Sequence, residues 1–261
     1  MDSHNINALS DYFFHCRNEG VADGQLARPS SLVDAYYIQH SNYGRLGVIG
    51  GWKLGGCSST SRDFFGIENV YYGPIFAENI FRYDSKIYIP RNIDSVIGEL
   101  EIVFRLSDSI VGYKKDEMSE DKIISYISSV SAAVEMPRVI FPITRDCIFT
   151  VIADQCVTGW LVLGHEHSID CFRMDTTENL FAILSGDNRQ LLSGKSGDII
   201  GGPLTAFRDF IKLAQQHNLD LLPGQVVSTG AFSICDKLPF NTRLQANFDC
   251  LGEFDFIINQ L

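Results

Sequence analysis

The chain is 261 residues long, 45% hydrophobic and 20% charged, as expected of a globular protein with one large core or a core with a small N-terminal appendage. Its formal net charge of −11 argues against electrostatic attraction to nucleic acid or to an anionic membrane. No apolar run approaches the roughly 18 residues that cross a bilayer. The start, Met1-Asp2-Ser3-His4-Asn5, lacks the basic flank and apolar stretch of a secretory signal, so a cytoplasmic location is expected.

Taken in chain order, Leu9, Tyr12, Phe13 and Phe14 make a short helical pattern that ends near Cys16, and Gly20 to Pro29 reads as a loop. Ser30 or Ser31 can cap a second helix carrying Leu32, Ala35, Tyr36, Ile38 and Gln39. Arg45 to Gly56 reads as a strand bounded by glycines, which suits a turn facing a ligand. Residues 58–90 are rich in aromatics, Gly and Asn without clear period, and are expected to be irregular with short strands, as in a lid. Glu99 to Leu106 is a largely buried strand, Ser119 caps a helix expected over 120–130, and Ala132 to Phe141 is an apolar strand interrupted by Glu135 and Arg138.

A helix-like segment runs from Asp146 to Ile152, followed by a strand over 157–164. A hairpin pairs 179–184 with 189–192 around Gly186-Asp187-Asn188. Pro203 suits the first turn of a helix that buries Leu204, Phe207, Ile211 and Ala214. Strands return over 225–228, 242–248 and 254–258. Helices do not alternate regularly with strands, so the fold expected is α+β: a helical N-terminal portion over 1–47 and a mixed-β domain over 48–261, in one unit. The seven cysteines, Cys16, Cys57, Cys147, Cys156, Cys171, Cys235 and Cys250, form no CxxC pair and are expected to be reduced.

The stretch that carries most chemistry is Glu99-Leu100-Glu101. Side chains alternate along a strand, so the two acids share a face while Leu100 points the other way. They are either solvated acids at a strand end or oxygen ligands for a hard divalent cation, because two carboxylates on a buried strand need positive charge between them. Other candidates are weaker. His165-Glu166-His167 with Cys171 lacks a fourth zinc ligand at standard spacing. The glycines around 50–56 lack the Gly-Lys-Ser/Thr ending of a phosphate loop. Cys57 has no histidine positioned by sequence to activate it.

Eight short pieces, from Asp34-Ala35-Tyr36-Tyr37 through Trp52-Lys53-Leu54-Gly55, Tyr72-Gly73-Pro74, Glu99-Leu100-Glu101, Ala133-Val134-Glu135, Ala153-Asp154 and Gly202-Pro203 to Ser228-Thr229-Gly230, come in one order. Together they resemble the fumarylacetoacetate hydrolase superfamily, most closely its branch of 2-oxopent-4-enoate hydratases and 4-oxalocrotonate decarboxylases. The resemblance implies a mixed β-sandwich or roll core. It also implies Mg²⁺ or Mn²⁺ held by Glu99, Glu101 and Glu135, and the absence of His and Cys from that set fits a hard cation.

By the same resemblance Lys53 lies beside metal and substrate, where it holds an anionic oxygen or, if burial depresses its pKa, moves protons. Glu78 is a candidate acid/base, Ser58 and Thr229 are candidate substrate contacts, and Asp154 is expected to hold neighbouring backbone. The implied function is a metal-dependent, hydratase-like lyase acting on a small unsaturated 2-oxo or 2-hydroxy acid through an enolate. A decarboxylase or C–C hydrolase of a related 2-oxo or β-dicarbonyl compound, or a non-catalytic ligand-binding or assembly subunit, is the alternative. A homo-oligomer, with a pathway partner enzyme, is also implied. The chain departs from the relatives where they show Pro-Arg and an aliphatic residue before the first metal acid. Here the residues are Val96-Ile97-Gly98, and a shift of substrate specificity is expected there.

Overall fold

A computed structural model describes residues 3–22, 28–170 and 179–261. The helical N-terminus consists of α1 (Ser3–Glu19) and α2 (Leu32–Ser41). Ser31 is the cap of α2: its hydroxyl accepts from the Asp34 N–H and satisfies one of the helix's orphan donors. Ser30 donates to the Asp34 carboxylate instead. Leu9, Phe13 and Cys16 of α1 pack against Ile38 of α2, Phe141 and Ala153 in a small core of their own.

The larger sheet contains β1 (Ile49–Gly55), β2 (Tyr71–Phe76), β3 (Ile80–Arg82), β5 (Val96–Leu106), β6 (Ile127–Met136), β7 (Trp160–His167), β10 (Val226–Ser228) and β11 (Ser233–Leu238). Its order is β2-β1-β10-β5-β6-β7-β3, with β11 paired to β5 beyond β10. The second sheet is β4-β13-β12-β8-β9, where β4 is Lys86–Ile89, β8 Phe181–Gly186, β9 Arg189–Lys195, β12 Arg243–Phe248 and β13 Gly252–Gln260.

Both faces of the larger sheet are buried, so its strands read as near-continuous apolar runs. On one face Trp52, Leu54, Leu100, Ile102, Phe104 and Val134 join the main core with Phe207 and Phe210 of α6 (Gly202–Gln216) and with Leu244 and Phe256 of the second sheet. On the other, Ile75, Val103, Ala133, Leu161, Leu163 and Val226 make a smaller apolar patch. The period of two then assigns Lys53, Glu99, Glu101 and Glu135 to that second face.

Several expectations change. The helix begun at Ser119 is α4 (Glu120–Ser125) and stops before residue 130. From Ile127 the chain is strand, because Val130, Ala132, Val134 and Met136 fill the main core at alternate positions between β5 and β7. That strand ends at Met136, since Pro137 has no N–H to give to a ladder. Residues 58–90 are largely regular: α3 (Ser59–Phe65), capped by Ser58, is followed by β2, β3 and β4. Strand β11 has no counterpart in the sequence reading. Helix α5 is Ile148–Ala153. In α6 Ala206 and Phe210 are buried and Leu204 only half-buried.

The six described cysteines are thiols, four of them buried; Cys171 lies outside the described residues. Among the described residues no helix is long and apolar enough to cross a membrane.

Candidate metal centre and cavity

Glu99 on β5 and Glu135 on β6 are direct partners in the antiparallel register, and Glu101 follows Glu99 on the same face. One carboxylate oxygen from each lies within 4.8 Å of the others, and no other such acid, His or Cys cluster occurs among the described residues. Glu101 and Glu135 are 0% and 1% exposed. The Glu101 Oε2 accepts from the Gly230 N–H at 3.0 Å and from the Ser228 hydroxyl. Its Oε1 and the Glu135 Oε2 have no hydrogen-bond partner among the described residues. Buried carboxylate oxygens left this way are costly unless something positive meets them.

Lys53, on β1, places its Nζ 3.0 Å from the Glu135 Oε1. Three carboxylates and one ammonium leave a net charge of −2 in a buried site. The electrostatics record the imbalance. Burial and the nearby Glu135 push the Glu99 carboxyl up to about 7 despite the pull of Lys53. Burial, Glu135 and Glu99 also raise Glu101 well above the ordinary carboxylate range. Burial would lower the Lys53 ammonium, but Glu135, Glu99 and Glu101 outweigh it and hold the pKa above its ordinary range. With no cation bound, Lys53 is therefore a fixed positive charge, and the proton-moving role that needs a depressed pKa is not supported by its surroundings.

Above these groups lies a cavity of about 350 Å³ with Lys53 and Glu99 in its lining. Tyr71 is part of the same wall. In the register it faces Gly55, on the side of the sheet that carries Lys53, and a Cβ at residue 55 would overlap the Tyr71 hydroxyl. Gly55 thus makes room for the ring to lie over β1. Gly230 is needed for a different reason: its φ is +97°, and a Cβ there would come within 2.6 Å of Cys57. That conformation directs its N–H at Glu101.

Not every residue expected at the site reaches it. Ser58 lines the cavity while its hydroxyl accepts from the Ser61 N–H at 3.2 Å. Thr229 is fully buried, and both its hydroxyl and its N–H donate to the Ile102 carbonyl. It therefore ties the end of β10 to β5 and has neither donor left for the substrate contact expected of it, while its neighbours Ser228 and Gly230 donate to Glu101. Glu78 is exposed in a short turn beyond β2, near Gly47, and is not in the cavity wall. The sheet carries it away because it follows the end of β2 opposite Tyr71.

Asp154 does not hold backbone directly. Its Oδ1 lies 3.2 Å from the Nε of Arg17, and Arg17 donates to the carbonyls of Asp154 at 2.8 Å and Arg138 at 2.9 Å. The histidines next to Glu166 gather no metal site: the His165 ring lies tilted against Tyr83, and Glu166 pairs with Arg105 at 2.7 Å. Burial and the Glu101 charge raise the Cys57 thiol, which stays neutral. Tyr71, Ser228 and Arg17 escaped the sequence reading; only the Ser-Thr-Gly turn gave a signal, one residue off for Ser228.

No known protein-family model matches the chain. A 4-oxalocrotonate decarboxylase from a Pseudomonas species is 23% identical over 209 residues, covering 79% of this chain and 77% of that protein. The solved structure of 4-oxalocrotonate decarboxylase from Pseudomonas putida G7, complexed with magnesium and adipate, superposes with a TM-score of 0.81 at 15% identity, over 99% of this chain and 98% of that one. The chain therefore has the fold of this decarboxylase. Fumarylpyruvate hydrolase from Pseudomonas aeruginosa, complexed with Mn²⁺ and pyruvate, has the same fold at lower similarity. Its TM-score is 0.56 at 13% identity, over 80% of this chain and 89% of that one. The fold expected from the eight sequence pieces is the fold found, over nearly the whole chain.

Proposed function

We propose that the protein is a divalent-metal-dependent lyase acting on a small 2-oxo acid. The observation that carries this reading is the buried cluster of Glu99, Glu101 and Glu135 around Lys53, formally −2 when all four groups are ionised, with carboxylate oxygens left unpartnered. A single Mg²⁺ or Mn²⁺ brings that charge to zero, and an all-oxygen donor set suits those cations. When bound, such a cation supplies Lewis-acid polarisation of the oxygens of the acid.

The chain's own residues do the rest. Ser228 and Gly230 fix the Glu101 Oε2 and so aim the free Oε1 at the cluster. Lys53, in the cavity lining beside the carboxylates, is placed to attract the carboxylate or the developing oxyanion of the substrate. Tyr71, kept a neutral phenol chiefly by burial, offers one hydrogen-bond donor in the same cavity.

Hydration of an unsaturated 2-oxo acid is the reaction we favour. Decarboxylation is the second reading, supported by the names of the sequence relative and of the structural neighbour, which holds adipate, a dicarboxylate. The test is calorimetric titration with Mg²⁺ and Mn²⁺, followed by turnover on a panel of unsaturated 2-oxo acids. Absence of metal binding defeats the reading; binding of metal and acid without turnover on any of them favours the non-catalytic binding subunit. Assembly into a homo-oligomer is part of the proposal and is tested by light scattering of the purified chain.

A further inference from the structure

The cavity over the carboxylates has one charged end and one apolar end, and strand register decides which residues stand at the boundary. Ile97 precedes Glu99 by two residues on β5 and shares its face. Ile234, on β11, is the direct cross-strand partner of Glu99. The first metal-site carboxylate therefore has an isoleucine beside it along its own strand and another across the ladder. Both line the cavity, together with Pro137, Val139 and Ile143. Ile234, Val139 and Ile143 are 59%, 41% and 39% exposed, so large apolar side chains are left open at this mouth.

Among the described residues in the lining Lys53 is the sole cation, and it is already engaged with Glu135. Arg145 is not itself in the lining, but its guanidinium lies behind the wall, 5.6 Å from the ring centroid of the lining residue Phe64.

We infer that Ile97 and Ile234 make this cavity selective for a 2-oxo acid with a single carboxylate and an apolar tail, excluding a second carboxylate at the tail end. The inference rests on the proposed binding of a 2-oxo acid at the metal centre. With the acid's own carboxylate and oxo group held at the charged floor, the tail extends along the isoleucine wall. Each methylene or vinyl carbon placed there leaves water for an apolar surface. A tail carboxylate placed there gives up part of its hydration and meets no cation in the lining. Of the two lyase reactions, addition of water as H and OH across a tail double bond needs no carboxylate at that end. Release of CO₂ from the tail does.

The experiment uses the Mn²⁺-loaded protein and two probes with the same six-carbon chain, 2-oxohexanoate and 2-oxoadipate, which differ in the terminal carboxylate. Calorimetry is expected to show 2-oxohexanoate binding about tenfold more tightly, the cost of partly desolvating one unpartnered carboxylate beside a half-exposed apolar wall. The Ile97→Arg variant is expected to gain at least about tenfold for 2-oxoadipate while Mn²⁺ affinity stays as in the wild type. Ile234→Arg, at a more exposed position, gives the same readout should Ile97→Arg fail to fold. Equal or tighter binding of 2-oxoadipate by the wild type overturns the inference and leaves the metal-dependent reading standing. Mn²⁺ binding with neither probe bound overturns the 2-oxo-acid reading and this inference together, and failure to bind Mn²⁺ removes the metal centre on which both depend.

Discussion

The Lys53 ammonium meets the Glu135 carboxylate at 3.0 Å although their strands, β1 and β6, are separated in the sheet by β10 and β5. Three strand spacings in a flat sheet amount to about 14 Å, and side chains standing off a flat sheet do not close that distance. The sheet is therefore curled around this face. Curvature brings a lysine from one part of the chain and three glutamates from another into one buried site, and it makes the small face concave enough to hold a ligand.

Neutralising one acid should separate metal binding from stability. Glu101→Gln keeps a group that can accept from Gly230 and Ser228 but removes a buried charge that repels Glu99 and Glu135. Without metal, its melting temperature is expected to rise by about 3–8 °C. The further rise given to the wild type by Mg²⁺ is expected to disappear, with Mn²⁺ affinity falling by more than about 100-fold. Thermal unfolding with and without metal checks both effects; an unchanged metal response counts against Glu101 as a ligand.

The raised pKa of Glu99 fixes the sign of a pH effect. Its carboxyl titrates near 7 in the folded chain without metal, against an ordinary value of 4.5, so the folded form holds the extra proton between those limits. That contribution to stability is present at low pH and is lost as pH rises through 7. The metal-free protein is expected to lose about 2 kcal/mol from this group between pH 5.5 and 7.5. Mn²⁺ affinity should move the opposite way, rising with pH through this range by about tenfold or more per unit below 7, because the cation displaces that proton and any held by Glu101. Urea unfolding and calorimetry across the range measure the two trends.

Arg17 ties α1 to the segments that carry the cavity wall, through the carbonyls of Arg138 and Asp154 and the Asp154 carboxylate. Arg17→Met leaves that carboxylate buried without its cation and is expected to destabilise the protein by about 3–5 kcal/mol. Adding Asp154→Asn should restore a large part of the loss. A double-mutant cycle by urea unfolding measures the coupling; simple additivity contradicts the pairing.

Tyr71→Phe removes one hydroxyl from the cavity and nothing from the carboxylate cluster. Mn²⁺ affinity and melting temperature are expected to stay near wild type, while binding of oxalate to the Mn²⁺-loaded protein weakens about tenfold, the value of one hydrogen bond to a charged group. Unchanged oxalate affinity places the hydroxyl outside the ligand's reach.

Much of the site was legible in the sequence because its information is local. Alternation along β5 put Glu99 and Glu101 on one face, and a single acid in the apolar run around Glu135 marked a buried charge. Glu78 and Thr229 were misread for opposite reasons. Glu78 lies only a few residues beyond the cavity-facing part of β2, but the chain turns it outward. Thr229 directly follows β10, beside the residues that meet Glu101, but its hydroxyl is consumed by the Ile102 carbonyl. The helix expected through 130 failed because Ser119 and the residues after it signal a helix start, and only partners on both sides turn Ile127 onward into strand.

The sequence by itself determined the strand faces and put Glu99 and Glu101 on one of them, since parity is local to the chain, whereas Glu135 and Lys53 were singled out by the family resemblance. Only the tertiary structure decided that Glu135 stands opposite Glu99, that Lys53 reaches them from three strands away, and that Ile97 and Ile234 flank the first acid. Those relations depend on register and sheet curvature, which arise from long-range pairing and packing rather than from any local pattern.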